Sequence, residues 1–192
     1  MVLSSRDFVS PVDLIATTTA FLGGEIDLDP ASSPYANQLV GATRHYTWED
    51  NGLMQPWRAK NVYLYPPRDF LTKSEQPESP LLFTKVKYFR KSSQRVWLEL
   101  AYQKWLRREF NEGVIFLTSV DVALLVTQQV GIDLPMCVLK KNPKLLIDEP
   151  DLRPLPSTRV LGFVLYMPPT DNQDTRVNQF VQHYSNLGRI YC

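Results

Sequence analysis

The sequence predicts one α/β domain in which helices pack on a mostly parallel sheet. Three observations carry that expectation. Apolar strand-like runs alternate with helix-period segments through the middle of the chain, the pattern of strand–helix crossovers. Prolines follow several of those runs and stop them, because proline cannot continue a ladder. The chain has 192 residues, 44% hydrophobic and 21% charged, which suits one core and leaves little room for a second.

The first element is a helix opening at Ser10-Pro11, with Ser10 as N-cap and Pro11 at the first helical position. Leu14, Ile15, Thr18, Phe21 and Leu22 recur at helical spacing, and Gly23-Gly24 ends the run. A strand over Glu25–Leu28 stops at Asp29-Pro30, and a short helix follows from Pro34 to about Val40. Thr43 to Trp57 has no clean period and reads as loop. Asn61–Tyr65 is rich in β-formers and is closed by Pro66-Pro67. The single domain spans 1–192, with 68–95 as a mobile loop or insert within it.

From Gln94 to Glu112 the pattern turns helical, with Leu98, Tyr102, Leu106 and Phe110 at i, i+4 and Gly113 as the breaker. Val114–Leu117 is a buried-type strand, and Ser119 caps a helix from Val120 to about Val130. Met136–Leu139 and Leu145–Ile147 suit a hairpin across Lys140–Lys144. Arg159–Tyr166 is a strand that precedes Pro168-Pro169, and a last helix covers roughly Thr175–Leu187.

Net charge is +1, so any nucleic-acid contact must come from a local patch rather than from the whole molecule. One candidate patch holds Lys85, Lys87, Arg90, Lys91 and Arg95, interleaved with Tyr88, Phe89 and Trp97. A solvated helix face over core aromatics explains the same residues. Cys137 and Cys192 show no metal-ligand spacing, and Cys137 lies in an apolar run as a buried thiol. His45 and His183 are isolated from cysteine and from each other, so no metal is expected. No apolar stretch reaches the roughly 18–20 residues needed to span a bilayer, and no hydrophobic signal core is visible. These features predict a cytoplasmic protein.

Three ordered segments resemble the phage-type DNA N6-adenine methyltransferases. They are the opening Ser10-Pro11-Val12-Asp13-Leu14 and the run Ile26-Asp27-Leu28-Asp29-Pro30-Ala31-Ser32. The second is followed by Ala36-Asn37, Tyr46-Thr47 and Glu49-Asp50-Asn51-Gly52-Leu53. The third is Trp57, the strand Asn61–Leu64 and Pro66-Pro67. The resemblance covers residues 8–70 and extends in element order beyond. Phe180–Ile190, with Leu187-Gly188-Arg189, is similar to the family's C-terminal helix.

The resemblance implies a Rossmann-like methyltransferase fold, S-adenosylmethionine as cofactor and DNA as partner. It places the cofactor against Asp27 or Asp29, with Ser10, Pro11 and Asp50 nearby, and the transfer motif at Tyr65-Pro66-Pro67-Arg68. In the family that tetrapeptide is Asn-Pro-Pro-Tyr. The amide and a proline carbonyl accept hydrogen bonds from the adenine amino group, and the aromatic stacks on the flipped base. Tyr65 and Arg68 replace those two residues. An arginine can only donate, and a tyrosine carries its oxygen several ångströms further out. Asp69 would supply a carboxylate only after remodelling of the loop. Three readings follow: a degenerate transferase that keeps cofactor or DNA binding, an active transferase with a changed acceptor, and a regulatory or protein-interaction module on the same fold.

Overall fold

A computed structural model describes residues 8–68, 70–71, 91–155 and 160–192. Lys85, Lys87, Arg90 and Asp69 lie outside the described residues, as does most of the 68–95 insert.

The described strands are β1 (Phe8–Val9), β2 (Leu28–Asp29), β3 (Arg44–His45), β4 (Ala59–Leu64), β5 (Phe70–Leu71) and β6 (Lys91–Ser92). They continue with β7 (Phe110–Leu117), β8 (Met136–Leu139), β9 (Leu146–Ile147), β10 (Phe163–Met167) and β11 (Gly188–Tyr191). The helices are α1 (Val12–Phe21), α2 (Pro34–Val40), α3 (Ser93–Leu106), α4 (Val120–Val130) and α5 (Gln173–Tyr184). Seven strands form one sheet in the order β11-β8-β10-β7-β4-β2-β3. β1 pairs with β9, and β5 pairs with β6, as two small ribbons.

The sheet is mixed, which corrects the expectation of a mostly parallel one. Pairing is parallel across β3, β2, β4 and β7. It is antiparallel across β7, β10, β8 and β11, and this is the longer part of the ladder. The reversal comes from β10, which returns between β7 and β8 and is antiparallel to both. β8 therefore points the same way as β7, and only β10 and β11 run against the rest.

Strand alternation sorts the core into two layers. Val62, Leu64, Ile115, Leu117, Phe163 and Leu165 face α3 and α4. Tyr63, Tyr65, Val114, Phe116, Val164 and Tyr166 face α1, α2 and α5. Phe21, Phe180 and Tyr184 pack on the second layer, with the Phe180 ring stacked at 5.1 Å on Tyr166. Burial pushes the Cys137 thiol up to about 11, as expected for a cysteine inside this layer.

Several element boundaries differ from the expected ones for identifiable reasons. Pro11 rather than Ser10 holds the N-cap position of α1, and no side chain caps it. Ser119 stands at the N-cap of α4 but makes no capping hydrogen bond. α3 ends at Leu106, where Arg108 takes φ 58° and the Glu109 amide bonds back to the Lys104 carbonyl. Phe110 thus continues the i, i+4 stripe in sequence but begins β7 in space. Gly113 is an interior strand residue, where a Cβ would lie 2.9 Å from the Phe110 ring.

The expected hairpin over 136–147 is absent, because β8 pairs with β10 and β11 while β9 pairs with β1. α5 stops at Tyr184, and the residues after it form β11, a strand hidden in sequence by its short mixed composition.

The amino end of β7 and the carboxyl end of β10 are tied to the helices by a half-buried charge cluster. The Glu112 carboxylate accepts from Arg176 at 2.8 Å and from the Tyr166 hydroxyl at 2.8 Å. Arg176 also donates to the Phe21 carbonyl at 3.1 Å and lies over the Phe21 ring at 4.4 Å. One arginine of α5 thereby joins β7, β10 and the end of α1. Removing one partner of such a pair strands the other charge. Arg176→Met is expected to lower stability by about 3 kcal/mol in urea unfolding. A double Arg176→Met, Glu112→Gln change is expected to recover part of that loss.

Candidate functional site at the carboxyl edge

Because β2, β3, β4 and β7 are parallel, their carboxyl ends share one edge of the sheet. In open α/β sheets this is where ligands bind. Asp29, Tyr46, Tyr65 and Thr118 are the residues that end or follow these strands. Ser10 joins them from the chain before α1, since its hydroxyl and that of Tyr63 share a short hydrogen bond. The Ser33 hydroxyl donates to Asp148 at 2.5 Å, which brings the 145–148 segment against the turn after β2.

Asp29 is the most unusual group on this edge. It is 3% exposed, and its carboxylate accepts from the Ala31 amide at 3.1 Å. Burial pushes its carboxyl up to about 7, against the smaller opposing pull of the Ala31 and Ser32 donors. Burial likewise raises the Tyr63 hydroxyl well above its ordinary value, although the Ser10 bond opposes this; nearby Asp29 and Tyr65 raise it further.

The tetrapeptide after β4 departs from the arrangement that the sequence resemblance implies. Tyr65 does not stand free at the strand end. Its ring lies 4.9 Å from Phe116 inside the α1–α2–α5 layer, and burial raises its hydroxyl far above the ordinary range. That hydroxyl has no hydrogen-bond partner. Pro66 is buried and Pro67 is partly exposed. The Arg68 guanidinium lies 6.0 Å from the Phe8 ring of β1. Arg68 therefore closes over the N-terminal ribbon.

The other expected cofactor contacts divide. Ser10, Pro11 and Asp29 come together with Tyr63 and Tyr65. Asp27 does not join them, because it lies just before β2, toward the amino end. There it accepts from the Lys60 amide at 2.7 Å and from Arg44 at 3.3 Å. Asp50 is exposed in the turn after β3. It accepts from the Thr47 amide and hydroxyl, each at 2.8 Å, and the amide foremost holds its carboxyl below the usual range.

The loop of Asp50 is nonetheless docked on the site. A Cβ on Gly52 would sit 1.9 Å from the Pro30 carbonyl oxygen, so only glycine permits that approach. The Trp57 indole donates to the Gly52 carbonyl at 2.9 Å and fixes the loop from below.

Sequence reasoning missed Tyr63. The alternation of β4 places it on the same face as Tyr65, which was the available signal. Gln94 and Thr118 were also missed. The Gln94 side chain bonds both the Thr118 hydroxyl at 3.0 Å and its amide at 3.2 Å, locking the start of α3 to the end of β7.

Of the expected basic patch, Lys91 lies in β6, and Arg95 lies in α3. Arg95 bonds buried Glu99 at 2.9 Å and Gln129 at 3.2 Å, so it is a structural ion pair rather than a free phosphate contact. A cavity of about 380 Å³ opens between α1 and α2, lined by Val12, Ile15, Ala16, Thr19, Gly24 and Leu39 among others. It contains no titratable side chain and lies apart from the carboxyl edge.

Among the described residues, no group of three or more histidine, cysteine or acidic side chains could hold a metal ion, and no helix is long and apolar enough to cross a membrane. No family model, curated protein or solved structure matches this chain.

The buried Asp29 makes stability depend on pH with a defined sign. Its folded value is raised, so its contribution is full below the ordinary value of 3.8 and is lost as pH rises through about 7. Asp29→Asn should therefore raise the melting temperature relative to wild type more at pH 8 than at pH 5. Thermal unfolding at the two pH values measures this, and an equal shift at both would show that Asp29 titrates normally.

Proposed function

We propose that this protein is a methyltransferase-like domain, related to the phage-type DNA adenine methyltransferases, that keeps a cofactor site but does not methylate adenine. The observation that carries the proposal is the position of Tyr65. The end of β4 should offer an acceptor oxygen to a nucleobase amino group. It holds instead a buried ring whose hydroxyl lies inside the helical layer. Losing one hydrogen-bonding group at such a position costs about 100- to 1000-fold in rate. Arg68, turned toward Phe8, removes the aromatic that would stack on the base.

Support for the cofactor side is physical. Asp29 is the carboxylate suited to accept from the ribose hydroxyls or amino group of S-adenosylmethionine. Ser10 and Pro11 border it on the α1 side.

Calorimetric titration with S-adenosylmethionine tests the cofactor site. A micromolar dissociation constant, weakened at least about tenfold by Asp29→Ala, is expected, and no binding up to millimolar ligand would remove the cofactor from the proposal. Transfer of a labelled methyl group tests the chemistry. Wild type should leave adenine in DNA unlabelled, and the double change Tyr65→Asn, Arg68→Tyr should restore measurable transfer. Robust adenine labelling by wild type would overturn the degenerate reading. Labelling of some other acceptor would identify an active transferase with a changed substrate.

A further inference from the structure

The opening turn of α3 gathers hydrogen-bond donors that the fold leaves without acceptors. Ser93 begins the helix, and its hydroxyl is fully buried with no hydrogen-bond partner. Helix Cα–Cβ bonds tilt toward the amino end, so this hydroxyl is aimed at the open first turn. The first backbone amides of a helix have no intrahelical acceptor, and they place a partial positive charge at that end. α3 carries no acid in its first turn to offset it.

A second donor comes from the end of β7. The Thr118 amide donates to the Gln94 side-chain oxygen at 3.2 Å, which fixes the orientation of that side-chain amide. Its nitrogen then donates to the Thr118 hydroxyl at 3.0 Å. The hydroxyl oxygen is therefore an acceptor from Gln94, and its own proton is left to point elsewhere. Thr118 is half-buried, and α4 opens just beyond it at Val120, with Ser119 making no capping bond. Two helix amino ends thus flank one threonine whose proton has no acceptor among the described residues.

The charged groups around this turn are already placed. Arg95 is held by Glu99 at 2.9 Å, one turn deeper in α3. Asp121 is exposed in the first turn of α4, where it complements that helix's own dipole.

We propose that the opening turn of α3 holds a terminal phosphate group of a small ligand, with Ser93 and Thr118 donating from their hydroxyls and the helix from its first amides. Three kinds of donor around one point match the acceptor oxygens of a phosphate better than those of a carboxylate. Burial decides for a small ligand over a polymer, since a hydroxyl at 0% exposure reaches one enclosed group and not an extended backbone. α3 packs on one face of the sheet through Val96 and Leu100, whereas Tyr63 and Tyr65 belong to the other. Failure of cofactor binding therefore leaves this site standing.

The test is thermal unfolding of the whole protein in orthophosphate, in glycerol phosphate and in chloride at matched ionic strength. Either phosphate should raise the melting temperature saturably in the millimolar range, and the one acting at lower concentration identifies the free ion or the monoester as the ligand type. Ser93→Ala should leave the melting temperature in chloride unchanged or higher, because an unsatisfied hydroxyl is removed. The same change should raise the phosphate concentration needed at least about tenfold.

A general salting effect would grow without saturating and survive in the variant, and that outcome overturns the proposal. So would a variant displaced from wild type by the same amount in every salt, or a larger effect of acetate than of either phosphate. Phosphorus NMR of orthophosphate titrated with wild-type protein needs no variant: exchange broadening is expected, and an unbroadened line would overturn the site.

Discussion

The parallel pairing of β4 with β7 is the contact on which the rest of the molecule depends. It runs from Ala59 opposite Phe110 to Leu64 opposite Ile115, in the middle of the seven-stranded order. On its outer side β2 adds only one paired residue, Leu28 opposite Val62. The shortfall is made up by Asn61, whose buried side chain accepts from the Asp27 amide at 2.8 Å and donates to the Glu25 carbonyl at 3.1 Å. On the other side β10 aligns five residues antiparallel to β7. The central pair thus supports a thin parallel wing and a thicker antiparallel one, and its register brings Tyr65 beside Phe116.

That register also separates the two ends of the molecule chemically. At the carboxyl edge the groups are buried and nearly neutral: Asp29, bonded to the Ala31 amide, Tyr63, bonded to Ser10, and the unpartnered Tyr65 hydroxyl. At the amino edge they are more exposed and carry both signs of charge, as where Asp27 meets Arg44. A polar group in a low-dielectric setting gains a great deal from one well-placed partner, whereas surface charges act weakly in pairs and strongly only in number.

Much of the architecture was legible in the sequence because burial and alternation leave a periodic trace. The helix expected from Pro34 to about Val40 is present, and the structure bounds it with Ser33 accepting from the Ala36 amide and Gly41 at φ 62°. The α4 span was similarly marked by Ser119 and Gly131. Phe110 misled because its spacing fits a helix while its partner is Ala59, a contact far away in sequence. Strand direction was not legible either. The parallel expectation failed at β10 because a buried run such as Val164–Met167 reads the same in both directions. Of the candidate site, Ser10, Pro11 and Asp29 were visible as residue types at strand and helix ends. The inward turn of Tyr65 was not, because a tyrosine after a strand suits either the core or the solvent.

The buried carboxyl of Asp29 has a thermodynamic consequence for anything that docks against it. Near neutrality the group carries a proton part of the time. A ligand hydroxyl or ammonium that donates to it selects the ionised form, so docking must expel a fraction of a proton. The heat of such an event includes the ionisation enthalpy of whatever buffer receives that proton. Acid would compete with such a ligand for the same oxygen atoms.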